Sequence, residues 1–164
     1  MTSTSTTPGA QLRPATAADL PAVERLLIAN NLPTAGVADA LHDFLVAESE
    51  EEIVGVGGLE VCCDNALLRS VAVDERWRGR GLGRAVVSGL IADAEARGLN
   101  ALYLLTTTAE RYFPSFGFAP TTREAVPAPV KETVEFRSAC PASATVMALP
   151  LRADAARDAA RDAG

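Results

Sequence analysis

Ala66-Leu67-Leu68-Arg69-Ser70-Val71-Ala72-Val73-Asp74-Glu75-Arg76-Trp77-Arg78-Gly79-Arg80-Gly81-Leu82-Gly83 is the stretch on which the fold of this chain turns. Up to Val73 it is apolar and partly β-branched, the pattern of a buried strand. Asp74 to Trp77 form a short bend, and the glycines after it open a helix. From Gly83 onward Val86, Val87, Leu90, Ile91 and Ala94 follow helical spacing. Gly98 stands just past Arg97, where a C-terminal cap is expected. A strand that runs through glycines into a helix presents backbone N–H groups and the positive end of the helix dipole. That is an anion site, and phosphate is its usual guest. Arg78, Arg80 and Arg84 add three cations to it. The spacing is not the G-x-G-x-x-G of a dinucleotide fold, and no Gly-Lys-Ser/Thr follows to make a P-loop.

Composition narrows the classes. A length of 164 residues suits one domain with a sizeable core, and 48% hydrophobic residues suit a globular one. The net charge of −6 argues against nucleic acid as a general partner. Positive charge is instead gathered at Arg76, Arg78, Arg80 and Arg84. No apolar run reaches the length of a membrane span, so no membrane partner is expected. Three cysteines and one histidine fit neither a disulfide framework nor a zinc site, so no metal is expected, and the default location is a reducing cytoplasm. Residues 1–10 are Ser/Thr-rich and read as a disordered leader, 11–151 as the domain. Residues 152–164 repeat Arg-Asp-Ala-Ala and read as a polar tail, a frayed helix or disordered.

Elsewhere the chain alternates short strands and helices. Leu12 to Ala15 reads as a strand; Thr16 or Asp19 then caps a helix with Pro21 in its first turn and Val23, Leu26 and Leu27 on its apolar stripe. Phe44 to Glu48 and Ile53 to Val61 form a hairpin across the acidic turn Ser49 to Glu52. Ala101 to Thr106 is a further buried strand. A short helix is expected at Ala109 to Phe116, an edge strand at Thr121 to Arg123, a helical turn at Val130 to Phe136 and a closing strand at Ser143 to Leu149. The order is that of an α+β fold with a mixed sheet.

Arg78-Gly79-Arg80-Gly81-Leu82-Gly83 matches Gln/Arg-x-x-Gly-x-Gly/Ala, the acetyl-CoA motif of the GCN5-related N-acetyltransferase (GNAT) superfamily. Ser70 to Asp74 is similar to that family's fourth strand, and the resemblance extends from about Leu12 to Leu151. It implies an α+β, mostly antiparallel central sheet flanked by helices, with splayed fourth and fifth strands. It also implies acetyl-CoA as co-substrate. The backbone N–H groups of Gly79, Gly81 and Gly83, with Arg80 and Arg84, would hold the pyrophosphate, and Arg78 takes the first position of the motif. Glycine suits the loop because a Cβ would hold a phosphate off the backbone. Val73 would pair with the pantetheine arm, and the Val71 N–H would be the oxyanion donor.

The family's acid, a tyrosine before Gly-Phe, aligns with Phe113. Tyr112 lies one residue earlier, about 100° away on a helix, and is the tentative acid. An unassisted thiolate leaving group with a pKa near 8.5 costs only about 2 kcal/mol at pH 7. A glutamate used as base by some relatives aligns with Leu67, which leaves Glu60 and His42 as candidate bases. Arg69 and Ser70, expected on opposite faces of the strand, and Thr106 and Thr107 at the end of the next, are the tentative substrate residues. Leu104 to Glu110 and Cys140 to Ala144 resemble the subgroup associated with arsenic resistance, itself similar to glutamate-type amino-acid acetyltransferases. The resemblance therefore implies a small amino-acid-like amine as acceptor. A protein or peptide N-acetyltransferase and a non-catalytic acetyl-CoA sensor are the alternatives. A monomer and a homodimer fit equally well.

Overall fold

The computed structural model describes residues 9–107, 109, 111–133, 136 and 144–151; the expected tail, Cys140 and most of the expected leader lie outside them. Seven strands form one mixed, mostly antiparallel sheet: β1 Gln11–Pro14, β2 Phe44–Ser49, β3 Glu52–Cys62, β4 Asn65–Val73, β5 Ala101–Thr106, β6 Ala119–Thr121 and β7 Thr145–Pro150. Their order is β1-β2-β3-β4-β5-β7-β6. The helices are α1 Leu20–Ala29, α2 Val37–Ala40, α3 Leu82–Ala96 and α4 Ala128–Lys131. Among the described residues no helix is long and apolar enough to cross a membrane.

The chain forms two compact units. The first runs to Leu59 and resumes from Arg69 to Leu90. In it β1 pairs antiparallel with β2, and β2 with β3. The hairpin turns on Glu50 and Glu51, both with positive φ (49° and 67°), the twist a two-residue hairpin needs. Val23, Leu26 and Leu27 of α1, spaced for one helical face, are buried with Val37, Leu41, Phe44, Val46, Val56 and Ala72. Gly58 makes room for Phe44, whose ring carbons lie 2.1–2.4 Å from where a Cβ would stand. A smaller cluster joins Ala10, Ala47, Val54 and Leu82, with Trp77 and Val73 packed on it. Trp77 and Leu82 thus anchor the glycine loop at both ends.

The second unit comprises Glu60–Leu68 and the chain from Ile91. Here β4 pairs parallel with β5 over Asn65–Leu67 and Ala101–Tyr103. Antiparallel β7 pairs with all of β5, and β6 with β7. Leu67, Val126, Val130, Phe136 and Val146 form its core. As expected, Gly98 closes α3 with φ 73°.

Three expected elements differ. The helix at Ala109 to Phe116 is a 3-10 turn, Phe113–Phe116. Pro114 has no N–H for an i→i−4 bond, so the segment is held by i→i−3 bonds from Ser115 to Tyr112 and from Gly117 to Pro114. The edge strand is Ala119–Thr121, ending earlier because the Thr122 hydroxyl caps a further 3-10 turn by accepting the Ala125 N–H. The helical turn expected at Val130 to Phe136 begins earlier, as α4 Ala128–Lys131, and residues 134 and 135 lie outside the described ones. The Thr133 hydroxyl donates to the Val130 carbonyl and accepts the Phe136 N–H.

Candidate active site

The C-terminal half of β4, the bend and the start of α3 lie in the first unit. Along β4 the alternation of faces breaks at Ser70, which has φ 62°. Arg69 is only 3% exposed and Ser70 7%, and Arg69 Nε donates to Ser70 Oγ at 2.9 Å. The two side chains therefore meet, contrary to the opposite faces that a regular strand predicts. The left-handed backbone at Ser70 is the reason. Val71 and Val73 beyond it are half-buried. Val71 stands over Gly57, its Cγ2 3.4 Å from where a Cβ would lie.

At the end of β4 the Asp74 N–H donates to the Val54 carbonyl at 2.8 Å. The Asp74 carboxylate accepts the Arg76 N–H at 2.9 Å and Arg76 Nε at 3.0 Å. Hydrogen bonding from the Arg76 side chain is the main cause that lowers the Asp74 carboxyl pKa. Arg76 also reaches Glu52 at 3.1 Å. Its charge is therefore matched by two carboxylates, and it does not act as one of a free cationic cluster, as its sequence neighbourhood suggests.

The other arginines are held differently. Arg78 Nη2 donates to Asn30 Oδ1 at 2.7 Å. The Arg80 guanidinium lies 4.9 Å from the centre of the Trp77 ring. Both partners are neutral. Arg84 is exposed on the first turn of α3. Gly79 and Gly81 have φ 79° and 81°, a region costly for any other residue, and an added Cβ at either would meet nothing within 4 Å. The first bond of the helix runs from the Ala85 N–H to the Gly81 carbonyl. The N–H groups of Leu82 and Gly83, ahead of it, have no acceptor within the helix.

In the second unit the Thr106 hydroxyl accepts the Ala109 N–H at 2.9 Å, and Thr106 is buried while Thr107 is exposed. Tyr112 is 36% exposed, its ring edge-on to Phe113 and Phe116, while Phe113 is buried at 9%. Leu67 is fully buried in the core, so the position aligned with a glutamate base carries packing alone. Glu60 is half-buried on β3. His42, in the first unit, is exposed, with Nε2 3.1 Å from the Asp43 carboxylate. Burial, with Glu60 and Cys63, pushes the Cys62 thiol up to about 11, so it stays protonated at neutral pH. Among the described residues no group of three or more His, Cys, Asp or Glu side chains is arranged to hold a metal.

The model of the acetyltransferase (GNAT) domain matches residues 40–120. An amino-acid acetyltransferase of Mycobacterium tuberculosis is 34% identical over 119 residues, 65% of this chain and 67% of that protein. The chain belongs to the GNAT acetyltransferase family. An amino-acid acetyltransferase of Pseudomonas putida is 32% identical over 90 residues, but these are only 21% of its length. Among solved structures, Rv2747 from Mycobacterium tuberculosis, in complex with CoA and NLQ, has a TM-score of 0.72 at 26% identity, over 86% of this chain and 99% of its own. N-acetylglutamate synthase from Neisseria gonorrhoeae, complexed with coenzyme A and N-acetyl-glutamate, has a TM-score of 0.75 at 17% identity, over 87% of this chain and 35% of its own.

A GNAT enzyme takes its acetyl group from acetyl-CoA, whose phosphates are anions, and the loop has the features of an anion site. Its two left-handed glycines leave open the space that side chains would fill, and it leads into a helix N-terminus flanked by arginines. The glycines and arginines of this loop are those that the sequence singled out. It did not single out Asn30 and Trp77, the neutral partners of Arg78 and Arg80. Trp77 had a signal in its position beside the loop; Asn30, 48 residues from Arg78, had none.

Proposed function

We propose that this GNAT enzyme transfers the acetyl group of acetyl-CoA to the amine of a small amino-acid-like acceptor. The observation that carries the donor half is the loop: Gly79 and Gly81 in left-handed conformation, with open space where a Cβ would stand. In this reading the N–H groups of Gly79, Gly81 and Gly83, with Arg78, Arg80 and Arg84, hold the pyrophosphate. The Val73 backbone pairs with the pantetheine arm. Bound acetyl-CoA supplies an activated thioester, and the Val71 N–H, beside the kink at Ser70, donates to the oxygen on which negative charge develops. Losing such a donor typically costs about 3–4 kcal/mol of transition-state stabilisation.

The acceptor half is supported by the amino-acid acetyltransferases among the relatives and by Arg69. A guanidinium buried on β4, 3% exposed, suits the carboxylate of an amino acid. Ser70 orients it through Nε. Thr107 is the acceptor-side hydroxyl, since that of Thr106 already closes its own turn. Tyr112, 36% exposed, is the acid in this scheme. The free thiols Cys62 and Cys63 suit a reducing cytoplasm. The likeness to the arsenic-associated subgroup adds arsinate analogues of glutamate to the acceptors worth testing. Cys140, part of that likeness, lies outside the described residues.

Thiol release from acetyl-CoA, followed against the proteinogenic amino acids and the phosphinate and arsinate analogues of glutamate, tests the reading. Turnover with one of these compounds is expected, with its KM raised in Arg69→Ala. Turnover with peptide N-termini or lysine side chains alone would instead make it a protein acetyltransferase. Acetyl-CoA binding with no acceptor turned over would make it a sensor.

A further inference from the structure

Two arginines two residues apart are treated in opposite ways. Arg76 is held by the carboxylates of Asp74 and Glu52, which cancel its charge. Arg78 is held by a carboxamide. Among the described residues Asn30 is the one hydrogen-bond partner of its side chain, at 2.7 Å, and that bond uses one of the five N–H donors of the guanidinium. A carboxamide oxygen orients a cation without neutralising it, and the carboxylate that Arg78 acts on coulombically, Asp74, is itself hydrogen-bonded to Arg76. Asn30 is itself fixed. It is the C-cap of α1, its own N–H bonds back to the carbonyls of Leu26 and Leu27, and its Nδ2 donates to Leu26 O at 2.9 Å. The same Nδ2 stands 3.5 Å from Val73 O, at the C-terminal end of β4, a long and weak bond. No basic residue lies in the last turn of α1, so the negative end of its dipole faces the incoming Arg78.

We infer that Asn30 is a positioning residue for acetyl-CoA. It joins the end of α1, the end of β4 and the first arginine of the anion loop, and presents Arg78 to the donor's phosphates without neutralising it. The inference rests on the reading of Arg78 to Gly83 as the acetyl-CoA loop. It assigns no chemistry to Asn30, which acts through Arg78.

The test is steady-state kinetics on the full-length protein, with CoA affinity by calorimetry and thermal unfolding alongside. Asn30→Ala should raise the KM for acetyl-CoA and the Kd for CoA about threefold to tenfold, leaving kcat and the acceptor KM unchanged. The double variant Asn30→Ala/Arg78→Ala should be no worse than Arg78→Ala alone, because both changes remove the same interaction. Asn30→Asp keeps the oxygen that Arg78 bonds, but cancels its charge and gives up the Nδ2 bond to Leu26 O at the negative end of α1; it should lower Tm somewhat and raise the KM for acetyl-CoA while kcat and the acceptor KM stay unchanged. A KM unchanged in Asn30→Ala or Asn30→Asp overturns the inference. So does full additivity in the double variant, or a fall in kcat and both affinities in step with Tm, the mark of a merely structural residue. Wild-type protein that neither binds nor consumes acetyl-CoA overturns the functional reading and this inference with it. Wild-type binding alongside unaffected Asn30 variants overturns this inference alone.

Discussion

Ser70, Gly79 and Gly81 are among the residues whose backbone has a positive φ, and these three fall within one segment of the first unit, from β4 through the loop. At Gly79 and Gly81 the conformation is met by glycine, which pays nothing for it; at Ser70 it is imposed on a residue with a side chain, at a cost of order 1 kcal/mol. Such an outlier persists only where its surroundings hold it, and Ser70 is held by burial and by Arg69. The two glycines differ from Gly58, whose missing Cβ makes room for Phe44: their surroundings are empty and only φ demands glycine. Gly79→Ala therefore separates the effects. We expect it to fold, to lose about 1–2 kcal/mol of stability from left-handed strain, and to raise the KM for acetyl-CoA with little change in the acceptor KM. Chemical denaturation and steady-state kinetics check both halves.

At the scale of elements, the start of α1 shows how a buried carboxylate secures a helix. Asp19, 8% exposed, accepts two hydrogen bonds from Arg13, at 2.7 and 2.9 Å, and one from the Thr16 N–H at 2.7 Å. Chiefly through the Arg13 bonds, its carboxyl is held far below the usual carboxylate range. A group whose folded pKa is depressed stabilises the fold above its unfolded pKa, near 3.9, and loses that contribution as pH falls through the folded value. Asp19→Asn should cost about 2 kcal/mol at pH 7 and flatten the loss of stability below pH ~4, both read from urea unfolding across pH. These elements also show what the sequence made legible. The hairpin, the buried strand Ala101–Thr106 and the strand-loop-helix core were readable because apolar period and glycine placement are local signals. The kink at Ser70 was not, because nothing in Leu-Arg-Ser-Val-Ala announces a positive φ on a serine. The 3-10 turn at Phe113 was missed because the apolar spacing there also fits an α-helix, and only Pro114's lack of an N–H decides against it. Asn30 reads as a helix breaker in sequence; its bond to Arg78 exists only once the chain has folded.

For the molecule as a whole, the family, the fold and the acetyl-CoA donor agree, and the proposed function places that donor on one loop. An acidic chain with a net charge of −6 gathers Arg78 and Arg80 at the loop, each with a neutral side-chain partner. Concentrating positive charge against such an average is the electrostatic mark of an anionic ligand. The central claim is that the phosphates of acetyl-CoA sit on Arg78 to Gly83. Calorimetric titration of CoA into the wild-type protein and into Gly81→Glu tests it most directly, because the glutamate enters the open space above the loop and brings a negative charge to it. The account predicts saturable one-to-one binding to the wild type and no measurable binding to a Gly81→Glu variant that remains folded. Equal affinity in the two proteins would contradict it.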